Sequence, residues 1–158
     1  MKRFIFLLLA FALSISAAAA QSTIFIVRHA EKADMTKDPD LSEAGRARAD
    51  SLAKILKDAN IVAIYATEFK RTQETAAPLA QALGIEVTIV PSVETTTLAT
   101  KLKAAPGNVL VVEHGNTIPD LSKALGIDPS INLAEAEYDN LFVVVLDEKP
   151  RLLRLHYL

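Results

Sequence analysis

Thr23-Ile24-Phe25-Ile26-Val27-Arg28-His29-Ala30-Glu31-Lys32 is the stretch on which the reading of this chain turns. A short run of β-branched and aromatic residues ends abruptly in an arginine and a histidine. The run is too short for a helix and reads as a buried strand. Strands without a polar face belong to parallel sheets covered on both sides. In open α/β sheets ligands bind beyond the carboxyl ends of the strands. Arg28 and His29 therefore stand where active-site residues are expected, although two solvated loop side chains would look the same in isolation.

The rest of the chain supplies company for them. Asp40 or Ser42 is placed to cap a helix in which Leu52, Ile55, Leu56 and Ala59 recur at helical spacing. Ile61 to Tyr65 reads as a second buried strand. Thr67 is expected to cap the next helix, with Ala76, Leu79, Ala80 and Leu83 on its inner face and Gly84 closing it. Pro78 falls inside that helix and should bend it or loosen a turn. A third strand is predicted over Ile85 to Val90, stopped by Pro91. Ser92 to Ala105 reads as a loop and a short helix weakened by three consecutive threonines. Asn108 to Glu113 is a fourth strand. Asn116 or Thr117 caps a helix with Pro119 in its first turn and Gly126 at its end. Ile127 to Asp139 is irregular. Leu141 to Leu146 and Leu152 to Tyr157 flank a turn and read as a terminal hairpin.

Alternating strands and helices mean βαβ units. The predicted fold is α/β, a three-layer αβα sandwich with a mostly parallel sheet and an antiparallel terminal hairpin.

The chain has 158 residues and no cysteine. Residues 1–20 read as a cleaved secretory signal peptide: Lys2 and Arg3, an apolar run from Phe4 to Ile15, and Ala18-x-Ala20 before Gln21. The alternative is an uncleaved anchor, but the run is short for a bilayer. Residues 21–158 then form one domain, secreted, or periplasmic in a Gram-negative cell. This domain carries 15 basic and 19 acidic residues. Such a balance speaks against nucleic acid, and against a membrane surface once the signal is removed. Without cysteine there is no thiol nucleophile and no thiolate metal site.

Three places at strand ends carry the chemistry: Arg28-His29, Lys70-Arg71-Thr72 and His114-Gly115-Asn116-Thr117. Sheet geometry gathers them at one edge. Guanidinium forks match phosphate oxygens, and an imidazole can accept a phosphoryl group as nucleophile. The combination describes phosphoryl transfer by positioning and charge. Two histidines also admit a metal site, but the further ligands such a site requires are missing at suitable spacing. No glycine-rich phosphate loop occurs, so no nucleotide cofactor is indicated.

Val27-Arg28-His29-Ala30-Glu31, then Tyr65-Ala66-Thr67 to Arg71-Thr72-Gln73-Glu74-Thr75-Ala76, then His114-Gly115-Asn116-Thr117 resemble, in order, the motifs of the histidine phosphatase superfamily, the phosphoglycerate mutase-like proteins. Leu41-Ser42-Glu43-Ala44-Gly45 resembles that family's Leu-(Ser/Thr)-x-x-Gly segment. The resemblance implies a phosphatase without cofactor or metal, with His29 as the nucleophile that becomes phosphohistidine. It implies that Arg28, Arg71 and His114 hold the phosphoryl oxygens, with Asn116 and Thr117 beside them in substrate binding. It points to Glu94 as the acid that protonates the leaving oxygen, with Asp120 as runner-up. Short family members acting on phosphohistidine scarcely need an acid.

Glu113 departs from the glycine common before the second histidine; its carboxylate would raise the pKa of His114 or point into solvent. His156 reads as structural. Only Ser92 to Pro106 is available as a lid, so the cleft should lie open. That favours a small phosphomonoester or a phosphoprotein as substrate. A protein phosphohistidine phosphatase is one alternative; a catalytically silent anion-binding domain is another of a different kind.

Overall fold

The computed structural model describes residues 22–157. The expected leader, residues 1–20, lies outside them. Six strands form one sheet: β1 (Thr23–Arg28), β2 (Ile61–Ala66), β3 (Val87–Ile89), β4 (Asn108–Glu113), β5 (Asn140–Val145) and β6 (Arg151–His156). Their spatial order is β3-β2-β4-β1-β5-β6. The first four run parallel, and β5 and β6 add an antiparallel edge. This is the predicted architecture. The third strand is shorter than Ile85 to Val90 because it lies at the sheet edge and pairs with β2 over three residues only.

Four helices cover the two faces: α1 (Glu43–Leu56), α2 (Lys70–Leu83), α3 (Thr95–Lys103) and α4 (Ile118–Ala124). Side chains alternate along each central strand, so each strand feeds both layers. Phe25 and Val27, with Leu110 and Val112, meet Leu52, Leu56, Ala76 and Leu79 of α1 and α2. Ile24 and Ile26, with Val109 and Val111, meet Leu98, Leu102, Ile118 and Leu121 of α3 and α4. Two cores sandwich the sheet, and both hold β1 and β4 at its centre.

The helix ends differ in how they are held, and of the four helices described only α1 has a side-chain bond at its N-cap. Ser42 caps α1, its hydroxyl accepting from the Gly45 N–H at 3.0 Å. Gly84 closes α2 with φ of 65°, a left-handed turn that suits glycine. Helix α2 runs on through Pro78. Its N-cap position is Phe69, without a side-chain cap. The expected cap, Thr67, is fully buried and turned towards His114. A hydroxyl that can cap a helix serves a buried imidazole equally well.

Gly45 marks a close approach. A Cβ there would overlap the carbonyl of Glu31. Ser42 N–H donates to that same carbonyl at 2.9 Å. The glycine thus lets α1 press against the loop that follows β1.

Candidate active site

Strands β1 and β4 lie side by side, with Arg28 opposite Glu113 in register. Their next residues, His29 and His114, therefore leave the sheet together. The His29 N–H donates to the Glu113 carbonyl at 2.8 Å. The two imidazoles meet edge to face with ring centres 5.4 Å apart. Arg71 comes from the first turn of α2. Arg28, His29, Arg71, His114, Gly115 and Asn116 all line one half-open cleft of about 340 Å³. A larger cavity of about 810 Å³ lies at the opposite end of the sheet and has no histidine or arginine in its wall.

The protons on His29 follow from its partner. Its Nδ1 is 2.8 Å from the Ala30 carbonyl, which only accepts. Nδ1 therefore carries the hydrogen and Nε2 keeps its lone pair. Burial drives the His29 pKa down to about 3, only partly opposed by the Ala30 carbonyl, and His114, Arg28 and Arg71 push the same way. The ring is neutral at physiological pH, as a nucleophile must be. The loop after it is pinned to α2: the Ala30 N–H donates to Thr75 Oγ1 at 2.9 Å, and that hydroxyl donates to the Arg71 carbonyl at 2.7 Å. Behind the loop, Glu31 takes a forked pair of bonds from Arg48, the shortest 2.6 Å.

Both guanidiniums are held while keeping hydrogens free. Arg28 Nη1 donates to the Glu135 carbonyl at 2.5 Å, and its plane stands 4.2 Å over the Tyr138 ring. Arg71 stacks 4.4 Å over Phe69 and faces Asp38 at 3.9 Å. The Nε atoms of Arg28 and Arg71 are buried and without a hydrogen-bond partner. Both side chains line the cleft with His29 and His114, and two guanidiniums beside one imidazole describe a place prepared for an oxyanion.

His114 is also neutral when the cleft is empty. Burial lowers its pKa to about 4, helped by Arg71 and Arg28, while Glu68 opposes them. Glu113 does neither of the two things expected of it. It is buried, burial pushes its own pKa up, and it accepts from Thr117 Oγ1 at 2.6 Å and from the His114 N–H at 3.3 Å. It braces the turn carrying His114.

Four of the expected residues, Arg28, His29, Arg71 and His114, thus come together, and Asn116 joins them at the rim. Thr117 instead spends its hydroxyl on Glu113. Glu94 is exposed at the start of α3 and is not part of the cleft wall; neither is Asp120, exposed in α4. The wall includes Lys32 and Glu135 in their stead. His156 bonds to Asp139 at 2.9 Å, away from the cleft. Tyr138 supports the site without having been singled out for it, and Thr67, Thr72 and Thr75, quoted only as a cap or as part of a motif, support it as well. The threonines differ from surface threonines only by standing next to Arg71 and at a strand end. Among the described residues no group of three or more His, Cys, Asp or Glu is placed to hold a metal ion. No helix there is long and apolar enough to cross a membrane.

Similarity to known proteins agrees with this arrangement. Phosphoserine phosphatase 1 of Hydrogenobacter thermophilus is 38% identical over a segment covering 40% of this chain and 34% of that protein. The match thus spans about a third of the curated relative. The structure of mycobacterial glucosyl-3-phosphoglycerate phosphatase with inorganic phosphate superposes with a TM-score of 0.67 at 19% identity, covering 83% of this chain and 95% of the other. The protein histidine phosphatase SixA with tungstate gives 0.68 at 20% identity, covering 85% and 96%. Residues 24–94, which carry Arg28, His29 and Arg71, match the sequence model of the histidine phosphatase superfamily (branch 1).

Proposed function

We propose that this chain is a phosphatase that hydrolyses phosphomonoesters without a metal, through a phosphohistidine on His29. The observation that carries this reading is the meeting of the Arg28 and Arg71 guanidiniums in one cleft wall with a neutral His29 whose Nε2 is bare. Nε2 attacks phosphorus in line with the ester oxygen, which leaves as the alcohol with a proton taken from solvent in the open cleft. The two guanidiniums and His114 hold the non-bridging oxygens, where charge is concentrated throughout the transfer. Water then attacks the phosphohistidine and releases phosphate. The positive charge that a metal would supply comes here from the arginines.

The leader-like residues 1–20 support a working place outside the cytoplasm, which N-terminal sequencing of the protein from its native source would test. A half-open cleft also suits a phosphoprotein, and SixA, a protein histidine phosphatase, is among the structural neighbours. Rates on p-nitrophenyl phosphate and on a phosphohistidine peptide separate the two substrate classes.

The decisive experiment is hydrolysis of p-nitrophenyl phosphate in EDTA by wild type and His29→Ala, with an alkaline denaturing quench to trap labelled phosphohistidine. Turnover in chelator, lost in the variant, with label on His29, is expected. Persistence of turnover in His29→Ala would refute the assignment of the nucleophile. Phosphate binding without turnover of any ester or phosphohistidine would favour the silent anion-binding domain.

A further inference from the structure

Two buried threonines in contact with one another adjoin His114. Thr67 follows β2 and Thr72 lies in the first turn of α2; neither has any exposed surface. Thr67 Oγ1 is 2.9 Å from His114 Nε2 and 2.9 Å from Thr72 Oγ1. Thr72 Oγ1 is 2.7 Å from the Phe69 carbonyl oxygen.

Each hydroxyl has a single proton to give. A carbonyl only accepts, so the proton of Thr72 lies on the bond to Phe69. The contact between the two hydroxyls then uses the proton of Thr67. Thr67 has none left for the imidazole, so the remaining contact needs a hydrogen on His114 Nε2. The other side of the ring gives the same answer independently. Nδ1 faces Arg71 Nη2 at 3.3 Å, and a guanidinium only donates. Nδ1 is therefore bare.

We propose that Thr67 and Thr72 are positioning residues that fix His114 as its Nε2–H tautomer, and that an oxyanion entering the cleft brings one proton onto His114 Nδ1. A phosphoryl oxygen offers lone pairs only and cannot face a bare nitrogen without a hydrogen between them. With an ester in its monoanionic form the bookkeeping is closed: the P–OH proton moves to Nδ1, leaving a dianion beside an imidazolium. Otherwise the proton comes from solvent. The tautomer stands on its own; the proton uptake rests on the reading of the cleft as a phosphate site.

The charged and titratable groups around the ring are His29 from the end of β1, Arg28 and Arg71 in the cleft, Glu68 from the turn before α2, and Glu113 from β4. In the empty cleft, burial and both arginines oppose a second proton on His114. A dianion between the two guanidiniums reverses the local field and favours the imidazolium.

The test is a two-bond proton–nitrogen correlation spectrum of the ¹⁵N-labelled protein at pH 7. It is recorded for wild type, Thr72→Val and Thr72→Ser, with His114 assigned from His114→Asn. Wild type and Thr72→Ser are expected to show a donor Nε2 and an acceptor Nδ1. In Thr72→Val the proton of Thr67 is free for the ring and only the longer contact from Arg71 still favours the Nε2–H form, so the Nδ1–H form is expected to gain population, which a loss of packing would not do. Calorimetry of inorganic sulfate binding, in buffers of different ionisation heat, then counts protons, since sulfate has none to exchange at this pH. Wild type should take up about one proton per sulfate and Thr72→Val measurably less. A wild-type spectrum with hydrogen on Nδ1 overturns the relay even if the variant does not fold. An unchanged tautomer in a folded Thr72→Val does so too. Sulfate bound without proton uptake overturns the coupling. No sulfate binding, with the tautomer as stated, overturns the coupling through the phosphate-site reading and leaves the relay supported.

Discussion

Replacing Thr75 by valine should separate the hydrogen bond that holds the nucleophile's loop from the packing around it. The hydroxyl accepts from the Ala30 N–H at 2.9 Å and donates to the Arg71 carbonyl at 2.7 Å. Ala30 and Thr75 are both without exposed surface, so water does not reach the gap. Valine has nearly the same volume and leaves the Ala30 N–H as an orphaned buried donor. Such an orphan costs about 2 kcal/mol, which for a domain of this size lowers the melting midpoint by roughly 4–8 °C. Serine keeps the hydrogen bond and loses one methyl, at about 0.8 kcal/mol. The order of catalytic damage should be the same. With valine the loop after His29 shifts to find a new acceptor for Ala30, and a misplaced nucleophile loses roughly tenfold or more in kcat. With serine kcat should remain near wild type. Thermal unfolding and p-nitrophenyl phosphate kinetics on both variants measure the two effects. If valine matches wild type within about 0.5 kcal/mol, or serine proves the worse in both assays, the bond from Thr75 does not hold this loop.

Arg71→Met keeps an unbranched apolar stem but removes the donors; each lost charged hydrogen bond is worth about 1.5–3 kcal/mol, so inorganic phosphate should bind roughly ten- to a hundredfold more weakly by calorimetry. Stability should fall in acid through the two buried histidines. Their folded pKa values of about 3 and about 4 lie below the ordinary 6.5 of a free imidazole, so between pH 6.5 and 4 the unfolded chain binds more protons and stability drops with falling pH. The slope is about 1.4 kcal/mol per pH unit for each histidine, and urea midpoints should show it flattened in the double variant His29→Asn, His114→Asn. Gly45→Ala drives a methyl into the Glu31 carbonyl; overpacking of this sort costs roughly 1–3 kcal/mol, and chemical denaturation should find it where a typical helical Gly→Ala change stabilises.

The sheet was legible because its strands are runs such as Val109-Leu110-Val111-Val112, too apolar for loops and cut off by proline, glycine or charge. The cleft was legible because Arg28, His29, Arg71 and His114 stand at the ends of such runs, where side chains have no layer to pack into. What escaped the reading lies one step back from the substrate. Thr67 and Thr72 look like helix-start residues, and only tertiary contact turns them towards an imidazole. Tyr138 sits in a segment without periodicity, so nothing in its neighbourhood announces the stack on Arg28. Glu113 looks like a solvated charge at a strand end, yet it is buried because the turn to Thr117 folds over it. Glu94 follows the third strand as expected, but α3 begins there and keeps its side chain outside the cleft wall.

The central place of β1 also sets the order in which the site can come into being. The strand that carries Arg28 and His29 is the first of the fold along the chain, and both of its neighbours come late. Ile24 pairs with Val109 on one side and with Val144 on the other, and the Thr23 N–H waits for Asn108, 85 positions further on. A growing chain therefore carries the nucleophile on an unpaired strand until Asn108–Glu113 has been made. Contacts this distant in sequence make for slow folding. They also mean that no piece ending before His114 brings the two imidazoles together, so the chemistry waits for a strand pairing made across 85 positions of chain.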